Sequence, residues 1–188
     1  MQPINFTANY ITTTKIIKNE NGKQNKTDVA IVELDKNDKN DIKSLHRVAS
    51  KWEEDKAYSY AYHIYHDATK GYEYKDTICE HYYALTRQEE NFEKLNERDI
   101  LGLMLFTETT NDYNQINWLQ TEPLSNHYVR TNKAYKGIGQ ALVDFVKETF
   151  FDKKITLSAD KSALEFYKKQ GFEHDENEHE CFLYWELK

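Results

Sequence analysis

Two glycines one residue apart, where a basic loop becomes an amphipathic helix, restrict this chain more than any other feature. The stretch reads Tyr135-Lys136-Gly137-Ile138-Gly139-Gln140-Ala141-Leu142. After Gly137 the apolar residues Ile138, Ala141, Leu142, Phe145, Val146 and Phe150 recur at helical spacing. Gly137 and Gly139 therefore fall in the first turn, where backbone N–H groups have no partner within the helix. Those donors and the positive end of the helix dipole make an anion site. Missing side chains let a phosphate come close to the backbone. A pyrophosphate is the guest this arrangement suits.

Two familiar phosphate loops do not fit. The P-loop ends in Gly-Lys-Ser/Thr, whereas Gly139 is followed by Gln140 and Ala141. The dinucleotide fingerprint needs a third glycine, and Leu142 stands in its place. Downstream, Ile155-Thr156-Leu157-Ser158 alternates like a short strand. Asp160 is placed to cap the next helix, which runs through Ala163, Leu164, Phe166 and Tyr167. That helix ends at Lys168-Lys169-Gln170 with Gly171 as its stop, and a final strand is expected over 181–187.

This order of helix with Gly-x-Gly, strand, short helix and last strand resembles the C-terminal half of GNAT-superfamily N-acetyltransferases. Upstream, Ile116-Asn117-Trp118-Leu119-Gln120-Thr121-Glu122-Pro123 resembles that family's central strand and the proline after it. The resemblance covers roughly residues 100–188 and extends loosely to residue 29. It implies an α/β fold: a mixed, twisted sheet of about six or seven strands flanked by about four helices. One domain over 1–188 is expected, with an N-terminal hairpin-like extension at about 1–28. The chain departs from the family pattern at Ala134, where Gln or Arg is usual, and at Asp160, where Asn is frequent. Residues 124–134 are an insert that carries His127, Arg130 and Lys133, cations that could stand in for the side chain missing at 134.

The resemblance implies acetyl-CoA as co-substrate and direct transfer of acetyl to a primary amine. Tyr135, Lys136, Gly137, Ile138, Gly139, Gln140 and Ala141 would hold the pyrophosphate, helped by Arg130 and Lys133. Asp160 would lie on the cofactor side. The backbone of Leu119, Gln120 and Thr121 would bond the pantetheine arm as if it were another strand. Tyr167 would protonate the leaving thiolate. A phenol of pKa about 10 is a weak acid for a thiol of pKa about 8.5, so position must decide. The incoming amine is almost wholly protonated at neutral pH, which asks for a base or a water chain. Glu122, just past the central strand, is the candidate; Glu108 reads as a solvated surface acid. Two other readings stay open: a non-catalytic acyl-CoA-binding or regulatory module, and a protein lysine or N-terminal acetyltransferase that docks through the insert.

The net charge of −7, from 32 acids and 25 bases, argues against nucleic acid as a general partner. An acidic surface can steer a cationic small-molecule or peptide amine. No run approaches the roughly 20 apolar residues that cross a bilayer, and the first residues lack a signal pattern. Cys79 and Cys181 sit far apart with no metal spacing. His63 and His66, and His174 and His179, lack matching ligands, so no metal is expected. No Gly-x-Ser-x-Gly elbow supports a hydrolase. A cytoplasmic protein with no membrane partner fits these facts, and a homodimer is left open.

Upstream of that order, strands are expected over 5–18 and 27–34, joined by a turn at 19–23. A helix capped by Asn40 or Asp41 follows, with Ile42, Leu45, Val48 and Ala49 as its stripe. A second helix is expected from Trp52 to about Lys70, where Tyr58, Tyr62 and Tyr65 share a face able to line an acceptor pocket. Strands at 81–87, 100–107 and 116–120 complete the scheme, the second being the most hydrophobic run of the chain.

Overall fold

A long hairpin opens the regular structure of the computed structural model, which describes residues 8–54, 59–71, 74, 76–123, 134–174 and 178–188. Asn21 and Gly22 take φ of 51° and 77°, the left-handed pair of a two-residue hairpin turn. They join β1 (Asn9–Glu20) to β2 (Lys23–Leu34). Two helices follow, α1 (Lys39–Glu54) and α2 (Tyr60–Lys70). The caps differ from expectation. Asp38, not Asn40 or Asp41, caps α1: its carboxylate accepts the amides of Asn40 and Asp41 at 2.7 and 3.2 Å. Trp52 belongs to α1, and the second helix starts afresh after Ser59, whose hydroxyl accepts the Tyr62 amide at 3.3 Å. Gly71, at φ 65°, ends α2 in the left-handed conformation.

β3 (Thr77–Thr86), β4 (Ile100–Thr109) and β5 (Tyr113–Thr121) form an antiparallel meander. β6 (Tyr135–Lys136) leads into α3 (Ile138–Thr149), followed by β7 (Lys154–Ser158). A 3-10 turn at Lys161–Ala163 opens α4 (Leu164–Lys169), and β8 (Glu173–His174) and β9 (Phe182–Trp185) close the chain. The sheet runs β6-β1-β2-β3-β4-β5-β7-β9-β8, antiparallel except where β5 meets β7. Nine described strands exceed the six or seven expected, because β1 joins the sheet and two short edge strands are added. The class, a mixed sheet with four helices, is the expected one.

Alternation along the strands sends side chains to two cores. Val29, Ile31, Tyr83, Leu85 and Phe106 pack with α3 and α4. Ala30, Val32, Tyr82, Ala84 and Leu105 pack with α1 and α2. Because β4 is covered on both faces, its run is apolar throughout: Ile100, Leu101, Leu103, Met104, Leu105 and Phe106 are all buried. Gly102 breaks that run for a steric reason: a Cβ there would stand 2.7 Å from Ile138 Cγ2 and 3.0 Å from Leu142 Cδ1. Its absence lets the first turn of α3 lie on the sheet. No described helix is long and apolar enough to cross a membrane.

Candidate active site

β5 and β7 part company. Their parallel pairing covers Tyr113–Lys154, Asn114–Ile155, Gln115–Thr156 and Ile116–Leu157, and no further. β5 nevertheless continues to Thr121, held on its other edge by β4. From Asn117 onward its β7-facing edge is thus unpaired with that strand. Such an edge offers N–H and C=O groups to an extended ligand. Leu119, Gln120 and Thr121 lie on this segment, as expected. The Gln120 side chain is otherwise engaged: it is buried, and its Oε1 accepts the Ala61 amide at 2.7 Å, fixing the start of α2. A ligand along this edge would meet the backbone of Gln120.

α3 begins at the same end of the sheet. Gly137 is its N-cap, at φ 87°, a conformation that costs a side-chain-bearing residue roughly 1–2 kcal/mol. Gly139 follows within the first turn and touches both neighbours of the opening. A Cβ built there would meet Phe166 Cζ of α4 at 3.3 Å and Thr121 Cγ2 of β5 at 3.7 Å. The Ala141 amide donates to the Gly137 carbonyl at 2.9 Å, so it is spent inside the helix. The amides available for an anion are those before it. Ile138 and Ala141 send their side chains into the core, whereas Lys136 and Gln140 are exposed. Tyr135 turns inward, and its hydroxyl accepts from Arg87 Nη1 at 3.2 Å.

The loop's entry is braced by the N-terminal hairpin. β6 pairs with β1 at Ile17–Lys136 and Lys18–Tyr135, and the Asn19 amide donates to the Ala134 carbonyl at 2.8 Å. The strand read as an extension outside the usual fold thus forms the rail along which the glycine loop is laid. A cleft of about 410 Å³ runs between β1 and α3, with Lys136 and Gly137 on its wall beside Thr13, Lys15 and Ile16. Arg130, Lys133 and His127 lie outside the described residues.

The opening between β5 and β7 is lined by Asn117, Trp118, Leu119, Asp160 and Tyr167. It adjoins a cavity of about 620 Å³ walled by Tyr60, Tyr74, Gln115, Trp118 and Asp160. Tyr167 is buried and packs edge-on against Phe166 and Phe172. Burial pushes its phenol well above the usual tyrosine value, and the Asp160 charge adds to the rise. Asp160 makes no side-chain cap for the following turn, contrary to expectation. Its carboxylate instead accepts a hydrogen bond from the Tyr60 hydroxyl. Glu122 is buried and lines neither of these spaces; its own amide donates to the Leu101 carbonyl at 2.7 Å.

The aromatic wall is not the one the α2 periodicity suggests. Tyr62 is 47% exposed, Tyr65 packs against His46 of α1, and Tyr58 lies outside the described residues. Tyr60 lines the site instead, and both Tyr60 and His63 stack on Trp118 at 5.3 and 4.7 Å between ring centroids. Trp118 is held by its indole N–H, which donates to Asp67 of α2 at 3.0 Å. Helical spacing marked a face without saying which strand it meets, and Trp118 was legible only as part of a strand. Glu108 is no solvated surface acid: His81 reaches it at 2.8 Å.

The family model for the acetyltransferase (GNAT) domain matches residues 88–181, half of the chain, so the protein belongs to the GNAT acetyltransferase family. The matched span runs from the end of β3 through the parted strands, the glycine loop and α4. Among solved structures, a GNAT-family acetyltransferase from Staphylococcus aureus Mu50 is similar with a TM-score of 0.55 at 16% identity, over 85% of this chain and 99% of its own. A candidate N-acetyltransferase from Lactobacillus plantarum gives 0.50 at 12% identity, over 83% and 95%. A Bacillus subtilis acetyltransferase solved in complex with CoA gives 0.37 at 18% identity, over 58% and 78%. Curated proteins yield no match.

Proposed function

We propose that this protein is an N-acetyltransferase that carries an acetyl group from acetyl-CoA directly to a primary amine. One observation carries the reading. The edge that β5 exposes after Ile116 and the first amides of α3 lie at one end of the sheet, joined through Gly139, Thr121 and Phe166. Acetyl-CoA has the two complementary parts: an amide-bearing arm for a strand edge, and a diphosphate for a helix start.

In this reading the backbone of Leu119, Gln120 and Thr121 pairs with the arm, and the amides from Gly137 to Gln140 take the diphosphate, with Lys136 adding charge. The amine arrives as a cation beside Asp160 and the faces of Tyr60 and Trp118, which favour an ammonium group. It gives up its proton through water toward Asp160, since Glu122 does not reach this space. The neutral nitrogen attacks the thioester carbonyl; the C–N bond forms and the C–S bond breaks. Tyr167 hands its proton to the departing sulfur, and the second proton that the nitrogen loses as the amide forms passes back to the phenolate. The Tyr167 phenol carries its proton at neutral pH with or without the upward pull, and because that pull makes it a weaker acid, its place beside the sulfur must decide the transfer.

The test is thiol release from acetyl-CoA with a panel of small amines and peptides, with mass spectrometry of the acceptors. The expected result is a stoichiometric acetylated product from at least one cationic primary amine. Tight acetyl-CoA binding with no acetylated amine or peptide would favour the non-catalytic alternative and end this proposal.

A further inference from the structure

At the far end of β4 from the glycine loop, a second set of chemically active side chains meets on the α3 face of the sheet. Cys79 and His81 stand two apart on β3 and so share a face, and Cys79 pairs directly with Glu108 on β4. The pairing register shifts between Thr77 and Cys79, at the start of this segment. The ligand-capable atoms of Cys79, His81 and Glu108 all lie within 4.8 Å of one another. We propose that these three residues bind one divalent transition-metal ion of zinc type.

His81 is built as a metal-ligating imidazole is built. Its Nδ1 lies 2.6 Å from Glu33 of β2, and its Nε2 faces Glu108 at 2.8 Å. The ring lies parallel to Tyr83 at 5.5 Å and against Phe150 at the end of α3. Glu33 holds Nδ1, and Nε2, which meets the Glu108 carboxylate in the metal-free protein, is the nitrogen an ion would take, with loss of any proton on it, where thiol and carboxylate converge. A carboxylate behind a ligating histidine is the usual supporting arrangement, fixing tautomer and ring orientation. Bonds of about 2.0–2.3 Å in a tetrahedron set ligand atoms roughly 3.3–3.6 Å apart. His81 Nε2 and Glu108 stand at 2.8 Å and no pair exceeds 4.8 Å, so binding asks for small rotations of the exposed Cys79 and half-buried Glu108 side chains. Solvent supplies the fourth position on the exposed Cys79 side.

The donor set selects the ion. One sulfur, one nitrogen and one oxygen suit zinc and cobalt, whereas calcium and magnesium take oxygen alone. Two carboxylates meet here, and Lys36, whose charge reaches Cys79, is tied to Glu80 at 3.0 Å. An ion would fasten β2, β3 and β4 together about 20 Å along β4 from Gly102, given a rise of roughly 3.4 Å per residue. Its part is therefore to hold the sheet, and it takes none in acyl transfer.

Cobalt(II) titration of metal-free protein is the direct test. We expect a sulfur-to-cobalt charge-transfer band that saturates at one equivalent and is displaced by zinc. It should persist in Cys181→Ser and vanish in Cys79→Ser. Glu33→Gln should keep the band and weaken affinity about 10–100-fold. In the unaltered protein, zinc should protect Cys79 from alkylation, which needs no variant to fold. Absence of the band, its survival in Cys79→Ser, or alkylation at the same rate with and without zinc would overturn the proposal.

Discussion

Tyr167 lines the parted strands with its phenol shielded from water and Asp160 close enough to raise its pKa. Its neighbour Phe166 touches Gly139 and contributes packing alone. If the phenol serves the leaving sulfur, Tyr167→Phe should lower kcat on the order of 10²-fold or more, with acetyl-CoA affinity unchanged. Calorimetric Kd and steady-state kcat on one preparation check this; a kcat within twofold of the parent would remove the donor role. A second buried titratable group bears on stability alone. Asp41 is 1% exposed, and burial, with the charges of Asp38 and Asp35, lifts its carboxyl from 3.8 to about 6, while the amides of Asp35 and Ala8 pull the other way. The folded protein therefore holds this proton more tightly than the unfolded chain. Its contribution is fully present below about pH 4 and is lost as pH rises through 6, a change of about 2–3 kcal/mol. Asp41→Asn should match the parent near pH 4 and exceed it by about that much at pH 7 in urea unfolding. A difference that stays flat from pH 4 to 7 would contradict the burial argument.

At the scale of elements, the placement of α3 decides whether its amides meet the edge of β5. Gly102 under its first turn and Gly139 within that turn set its approach, and Lys147 ties its other end. The Lys147 ammonium donates to the Gln170 carbonyl at 2.6 Å and lies 4.7 Å from the Trp185 ring centroid. Gly102→Ala would drive a methyl against the β-branched Ile138 side chain, which has little freedom to yield. We expect a loss of about 1–3 kcal/mol in stability and a rise in KM for acetyl-CoA, because the helix start is the part displaced. Chemical denaturation and initial rates at saturating amine measure the two effects. An unchanged KM alongside a clear stability loss would mean that this contact supports the core and not the cofactor grip.

Across the whole molecule, what could be read from the sequence was what repeats locally. The Gly-x-Gly helix start, the buried run of β4 and the Asn-Gly turn each declare themselves within a few residues. The helix start at the glycine loop and the strand through 119–121 could be placed from the sequence, because glycine and an alternating run each mark backbone conformation locally. The pairings between distant segments were not. Tyr60 meets Asp160, His63 stacks on Trp118, and β1 braces residues 135–136, each across a long stretch of chain with no periodic signal. The same holds for Cys79, His81, Glu108 and Glu33, whose spacing means nothing until three strands lie side by side. Glu122 shows the converse, a well-placed acid in sequence whose strand end is buried. The central claim is that the amides from Gly137 to Gln140 and the free edge at Leu119, Gln120 and Thr121 receive one acyl carrier together. Backbone amide NMR of the protein titrated with acetyl-CoA tests it most directly. The account predicts saturable shifts in both sets with a single Kd; folded protein with no saturable change in either set, or with different constants for the two, would contradict it.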